Sequence, residues 1–166
     1  VSKELRADKE VVLIAAKQHR WAFEYTSDEL KADRELVLTL IGFDGIILKY
    51  ASDDLKADAE VVFAAVKNHR WALEYASDEL RSNHEFILRC ATENIYSFEY
   101  ASESLRADFS FALKLVGLNG RAFAFLIDEL RANLQIATAA VQNYPRAVEY
   151  ASVELQSDPT LLGLSD

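Results

Sequence analysis

Two pentads carry the most reactive-looking chemistry in the chain. Lys17-Gln18-His19-Arg20-Trp21 is echoed by Lys67-Asn68-His69-Arg70-Trp71, two repeats further along a 25-residue period. Arginine forks onto oxyanions, lysine adds a point charge, and tryptophan supplies a large apolar anchor. That combination predicts recognition of an acidic or phosphorylated partner segment. Tyr96 stands at the tryptophan position in the next repeat, and Arg121 and Arg146 follow at the same place. The competing expectation is structural: Trp21 and Trp71 pack between helices while the cations solvate a turn.

Other reactive side chains point to less. Zinc sites need converging ligands, usually with a close pair in sequence. His19 and His69 are two repeats apart and His84 stands near a helix start, so no metal is expected. Cys90 occupies an inward position matched by Ala15, Leu40, Ala65, Leu115 and Ala140, and is read as a small hydrophobe. Carboxylates recur in nearly every repeat. Asp28-Glu29, Asp53-Asp54, Asp78-Glu79 and Asp128-Glu129 precede the basic file Arg6, Lys31, Lys56, Arg81, Arg106 and Arg131. Repetition of this kind speaks for surface ion pairs that give solubility and register, not for a catalytic pair.

The elements that must position these side chains follow from one spacing. A leucine returns every 25 residues at Leu5, Leu30, Leu55, Leu80, Leu105, Leu130 and Leu155, and an aromatic precedes it by five residues at Tyr25, Tyr50, Tyr75, Tyr100, Phe125 and Tyr150. A constant step without insertion predicts stacked repeats, each burying its apolar face against its neighbours. Counting the leucine as position 1, position 4 is Asp8, Asp33, Asp58, Asn83, Asp108, Asn133 and Asp158. All seven are strong helix N-caps. Pro159 follows Asp158 at a place where proline costs no hydrogen bond.

The first helix then shows apolar residues at i, i+1, i+4 and i+5, one face of a helix. It is expected to stop near position 13, which is Gly42 in the second repeat and Gly117 in the fifth. A second helix is expected from position 16 to the next leucine, with small residues such as Ala72 and Ala76 one turn apart against the neighbouring repeat. The expectation is an all-α fold, an α-solenoid of about six 25-residue two-helix repeats, forming one domain over residues 1–166. The chain opens in mid-pattern and is read as a piece of a longer array.

The fifth repeat breaks the surface pattern. Ala124 stands where Glu24, Glu74, Glu99 and Glu149 stand elsewhere, and Ile127 replaces the usual serine. Phe123, Phe125 and Ile127 are therefore read as an apolar contact surface, for a partner, a second copy, or the apolar stub Leu161-Leu162-Gly163-Leu164. The stub is the local and favoured explanation.

The pattern L-[RK]-A-D-x-E-[VL]-V-L … A-L-E-Y-A-S-[DE]-E-L, best seen in Leu5–Leu30 and Leu55–Leu80, resembles the repeats of domain of unknown function 4116. Those repeats recur in tandem in large proteins of intracellular bacteria and of protists. The second, fifth and sixth repeats depart from the pattern in their loops. The resemblance implies a helical binding or scaffolding segment, such as part of a secreted bacterial effector acting in the host cytosol.

Composition narrows the partners. The formal net charge is −9, which argues against broad nucleic-acid or anionic-membrane binding. The apolar run Ala122–Ile127 is far short of a membrane span of ~20 residues. One cysteine and no visible leader fit an intracellular, reducing compartment. Neither a P-loop, a nucleophile elbow nor a glycine fingerprint is present, so an enzyme or a cofactor is not expected. The leading expectation is a non-catalytic helical-repeat scaffold for protein–protein interaction. It is a monomer or weakly self-associating and uses Lys17, His19, Arg20, Trp21, Lys67, His69, Arg70, Trp71 and Tyr96. The alternative is a structural spacer or self-association segment of a larger protein.

Overall fold

The computed structural model describes residues 2–165; Val1 and Asp166, the ends of the expected domain, lie outside them. Among the described residues every regular element is helical and no strand occurs. The chain divides into two compact units, Val1–Phe86 and Ile87–Asp166.

The position-4 residues start helices as their chemistry requires. Asp8 accepts the N–H groups of Glu10 and Val11, Asp33 that of Leu36, and Asp58 those of Glu60 and Val61. In the same way Asn83 accepts from Phe86, Asp108 from Phe111, Asn133 from Gln135 and Ile136, and Asp158 from Thr160. Each cap satisfies donors that a helix start otherwise leaves orphaned. The helices that follow bury the expected face. Leu36, Val37, Leu40 and Ile41 are almost fully buried, as are Val61, Val62, Ala65 and Val66 in the next repeat. In the second unit Phe111, Ala112, Leu115 and Val116, then Ile136, Ala137, Ala140 and Val141, do the same.

The second helix of the repeat is not one helix. In the third repeat a 3₁₀ turn covers Arg70–Tyr75, Ala76 is extended, and a separate four-residue α-helix spans Asp78–Arg81. The same break recurs at Arg20–Tyr25 with Asp28–Lys31, and at Gly45–Tyr50 with Asp53–Lys56. The repeat therefore contains three helical segments, which corrects the two-helix expectation. The physical reason lies in a second cap. Ser27, Ser52, Ser77, Ser102 and Ser152 each accept the N–H of the leucine three residues on, starting a new helix. Acidic residues crowd the first turns that follow, as at Asp28 and Glu29, where the helix dipole favours them. Ile127 replaces this serine and makes no side-chain cap bond.

The buried face changes accordingly. In a 3₁₀ helix residues i and i+3 eclipse. The inward residues are Phe23, Leu73, Phe98 and Phe123 within the turns, and Thr26, Ala76, Ala101 and Leu126 in the extended backbone just after them, all buried. Position 19 thus matters as much as the small residues at positions 18 and 22. The expected glycine stops also divide. Gly42 caps the helix Arg34–Ile41, whereas Gly117 lies inside Phe109–Leu118 and the stop falls at Asn119.

Within each unit corresponding elements of successive repeats pack on one another: Lys9–Gln18 on Arg34–Ile41 and that on Ala59–Asn68 in the first, Phe109–Leu118 on Leu134–Asn143 in the second. A backbone bond joins neighbours at a fixed place. The N–H groups of Ser27, Ser52 and Ser77 donate to the carbonyls of Arg6, Lys31 and Lys56, and Ser152 donates to Arg131, all at 2.9–3.2 Å. Ion pairs of two kinds decorate these surfaces. Lys56–Asp53, Arg81–Asp78 and Arg131–Asp128 lie within the short helices, three residues apart. Lys9–Asp33 at 2.8 Å and Arg34–Asp58 at 2.9 Å instead join consecutive repeats.

Candidate partner-binding edge

The loop after each long helix leads into the 3₁₀ turn, and this is where the two pentads lie. His19 and His69 end their helices with extended backbone and begin the turns. Each turn then presents its tryptophan to solvent. Trp21 is 56% exposed and Trp71 46% exposed. That disfavours the expectation that the indoles pack between helices.

Local contacts hold these rings. His19 stacks on Trp21 with ring centroids 5.4 Å apart. His69 Nδ1 accepts the Trp71 N–H at 3.3 Å, and the two rings lie 5.2 Å apart. The Arg70 guanidinium sits 5.4 Å from the Trp71 ring centroid, within cation–π range. Indoles fixed in this way lose little conformational entropy when a partner covers them.

The intervening repeat contributes what sequence reasoning missed. Phe43 is 60% exposed, and the Lys17 ammonium lies 4.4 Å from its ring centroid. Asp44 pairs with Arg20 at 2.9 Å. Trp21, Phe43 and Asp44, with Lys17, His19 and Arg20, wall a cavity of about 340 Å³. Trp21 also walls a neighbouring apolar cavity of about 340 Å³ with Leu5, Val11 and Tyr25. The signal that could have found Phe43 is an aromatic between two glycines in a loop, where nothing in the repeat pattern requires a core residue. The first unit therefore offers three exposed aromatic side chains on consecutive repeats, accompanied by Lys17, Arg20, Lys67 and Arg70.

Tyr96 belongs to the second unit, where it is 50% exposed and meets Phe125 edge-on at 5.5 Å. Phe123 is fully buried, while Phe125 and Ile127 are partly accessible. The C-terminal helix Pro159–Ser165 packs on Leu134–Asn143 and Pro145–Tyr150 of the sixth repeat. Cys90 is buried, and burial pushes its thiol up to about 12. Among the described residues no group of three or more His, Cys, Asp or Glu side chains converges as a metal site. No described helix is long and apolar enough to cross a membrane.

Electrostatics also tune the repeat junctions of the first unit. The Lys9 ammonium, with help from the Leu36 N–H, holds the Asp33 carboxyl below the usual carboxylate range. The Arg34 guanidinium does the same for Asp58.

No curated protein and no solved structure matches the chain. A family model does, in five overlapping segments at residues 1–31, 33–81, 60–106, 83–131 and 108–156. From the second segment on their ends, at residues 81, 106, 131 and 156, keep the 25-residue step of capped helix, 3₁₀ turn and short helix described above. The chain thus belongs to the family described as domain of unknown function (DUF4116), which it carries as tandem repeats.

Proposed function

We propose that the chain is a non-catalytic helical-repeat scaffold that binds another protein along the loop edge of its first unit. The observation that carries this reading is the exposure of Trp21 and Trp71, each beside the ring of its own histidine and flanked by cations. Large exposed aromatics beside arginine are the side chains that dominate protein interfaces. An acidic or phosphorylated segment suits the edge, with Lys17, Arg70 and Lys67 supplying charge and Trp21, Phe43 and Trp71 supplying apolar area. The repeats are read as an α-solenoid, a superhelical array of about six, which would set such loops in a row. Tyr96 is the counterpart of the tryptophans in the second unit. The setting fits an intracellular protein, including an effector delivered into a host cell.

The alternative is a spacer or self-association segment. It is favoured by Phe125 and Ile127 of the fifth repeat, apolar side chains that are partly accessible. Affinity capture with wild type beside the folded double variant W21A/W71A separates the two readings. A stoichiometric protein lost only by the variant supports the scaffold. Equal capture by both, with concentration-dependent mass in light scattering, supports the spacer.

A further inference from the structure

The second unit holds a cavity of about 450 Å³ walled by Tyr96, Phe125, Tyr144, Tyr150, Arg121 and Ala124. Three tyrosines and a phenylalanine surround a single cation. The Arg121 guanidinium lies 5.2 Å from the Tyr144 ring centroid, and the Tyr96 ring meets Phe125 at an interplanar angle of 81°. These rings offer both faces and edges to an inserted planar group.

Ala124 explains why this cavity exists here. Position 20 of the repeat is Glu24, Glu74, Glu99 and Glu149 in four other repeats and Lys49 in the second, and a carboxylate in place of Ala124 would line the same cavity as Arg121 and neutralise it. Replacing it by a methyl group leaves space and removes the charge. No acidic residue lines the cavity. Arg121 is the charged residue of the lining, and its charge favours an anion there. Its size lies within the range of small-ligand sites.

We propose that this cavity binds an aryl phosphate: a planar aromatic ring seated among Tyr96, Phe125, Tyr144 and Tyr150, with its phosphate on Arg121. Guanidinium donors match phosphate oxygens bidentately. The aryl phosphate is either a free small molecule or a phosphotyrosyl side chain. The proposal stands independently of partner binding at the first unit's edge.

The test is a titration of the whole isotope-labelled chain, read by backbone amide shifts, with phenyl phosphate, a phosphotyrosyl peptide, its unphosphorylated form and inorganic phosphate. Saturable shifts confined to residues around 95–96, 121–125 and 144–150 are expected with the two aryl phosphates. Arg121→Gln and Ala124→Glu, each confirmed as folded by circular dichroism, are expected to weaken binding at least about tenfold. The second variant introduces the residue that four other repeats carry at this position, so it tests charge with little risk to the fold. Much tighter binding of the peptide would identify a protein side chain as the ligand, and equal binding a free aryl phosphate. Inorganic phosphate binding as well as phenyl phosphate, or affinity unchanged in both variants, overturns the proposal, as does the absence of saturable shifts.

Discussion

Asn68 clasps the glycine loop of the repeat before it: its Oδ1 accepts the Gly45 N–H at 2.8 Å, and its amide donates to the Gly42 carbonyl at 3.3 Å. The second unit repeats the device. Asn143 accepts from Gly120 at 2.7 Å and donates to the Gly117 carbonyl at 3.1 Å. In both places a glycine backbone lies against the end of the next helix, and the asparagine satisfies the Gly45 or Gly120 N–H that this close approach would otherwise bury unpaired.

The clasp explains the glycines at these points. A Cβ on Gly45 would stand 2.4 Å from the Ala65 carbonyl oxygen and 3.0 Å from His69 Cβ; on Gly120 it would stand 2.5 Å from the Ala140 oxygen. Gly45→Ala and Gly120→Ala are expected to destabilise the fold by about 1–3 kcal/mol in denaturant titration. At Gly117, inside a helix, a Cβ meets nothing within 4 Å. Gly117→Ala is therefore expected to stabilise by about 0.5–1 kcal/mol. Similar effects at all three sites would contradict this explanation.

Ser97 is fully buried and its hydroxyl has no hydrogen-bond partner. The corresponding residues Ala22, Ala72, Ala122 and Ala147 are apolar. Ser97→Ala removes a desolvated hydroxyl without opening a large cavity, so stability should rise by up to about 1 kcal/mol. A clear loss of stability would mean that the hydroxyl has a role this packing does not show.

How much of this could be read from the residues differs by element. The caps at Asp8 through Asp158 were legible because one side-chain type at one spacing does one job. The core face of the long helix was legible from its apolar periodicity. The break between the 3₁₀ turn and the short helix was missed, although the recurring serine that causes it was in plain view. Its neighbours Tyr25 and Leu30 both fit a continuous helix, and propensity does not distinguish 3₁₀ from α over six residues. At the site, the two tryptophans were legible as a repeated cluster. Phe43 and Asp44 were not, because they lie on a repeat whose loop has a different sequence and meet the cluster only through packing.

Asp33 and Asp58 predict how the first unit responds to acid. Their carboxyls are held below the ordinary range by Lys9 and Arg34, so the folded state favours the ionised form. That contribution is fully present above the unfolded carboxylate value and is lost as pH falls through the lower folded value. Denaturant midpoints should therefore fall between pH 5 and pH 3 by more in wild type than in a D33N/D58N variant. An identical decline in both would contradict the linkage, and high salt should narrow the difference.

Cys90 should behave as core. Burial pushes its thiol up to about 12, which leaves almost no thiolate near neutral pH. Alkylation by iodoacetamide at pH 8 should be slow in the folded chain and fast in denaturant. Rapid labelling under native conditions would show that the helix His84–Glu93 opens locally.

The central claim is that Trp21 and Trp71 form a binding edge, and they are the two tryptophans of the chain. Emission excited selectively from tryptophan, beyond tyrosine absorption, therefore reports on that edge. The most direct measurement titrates the protein with an acidic phosphorylated peptide while following tryptophan emission, with W21A and W71A measured separately. The account predicts a saturable blue shift or quench in wild type, a reduced response in each single variant, and weakening as salt is raised. An emission spectrum unchanged at saturating peptide, or a response equally strong at high salt, would contradict it.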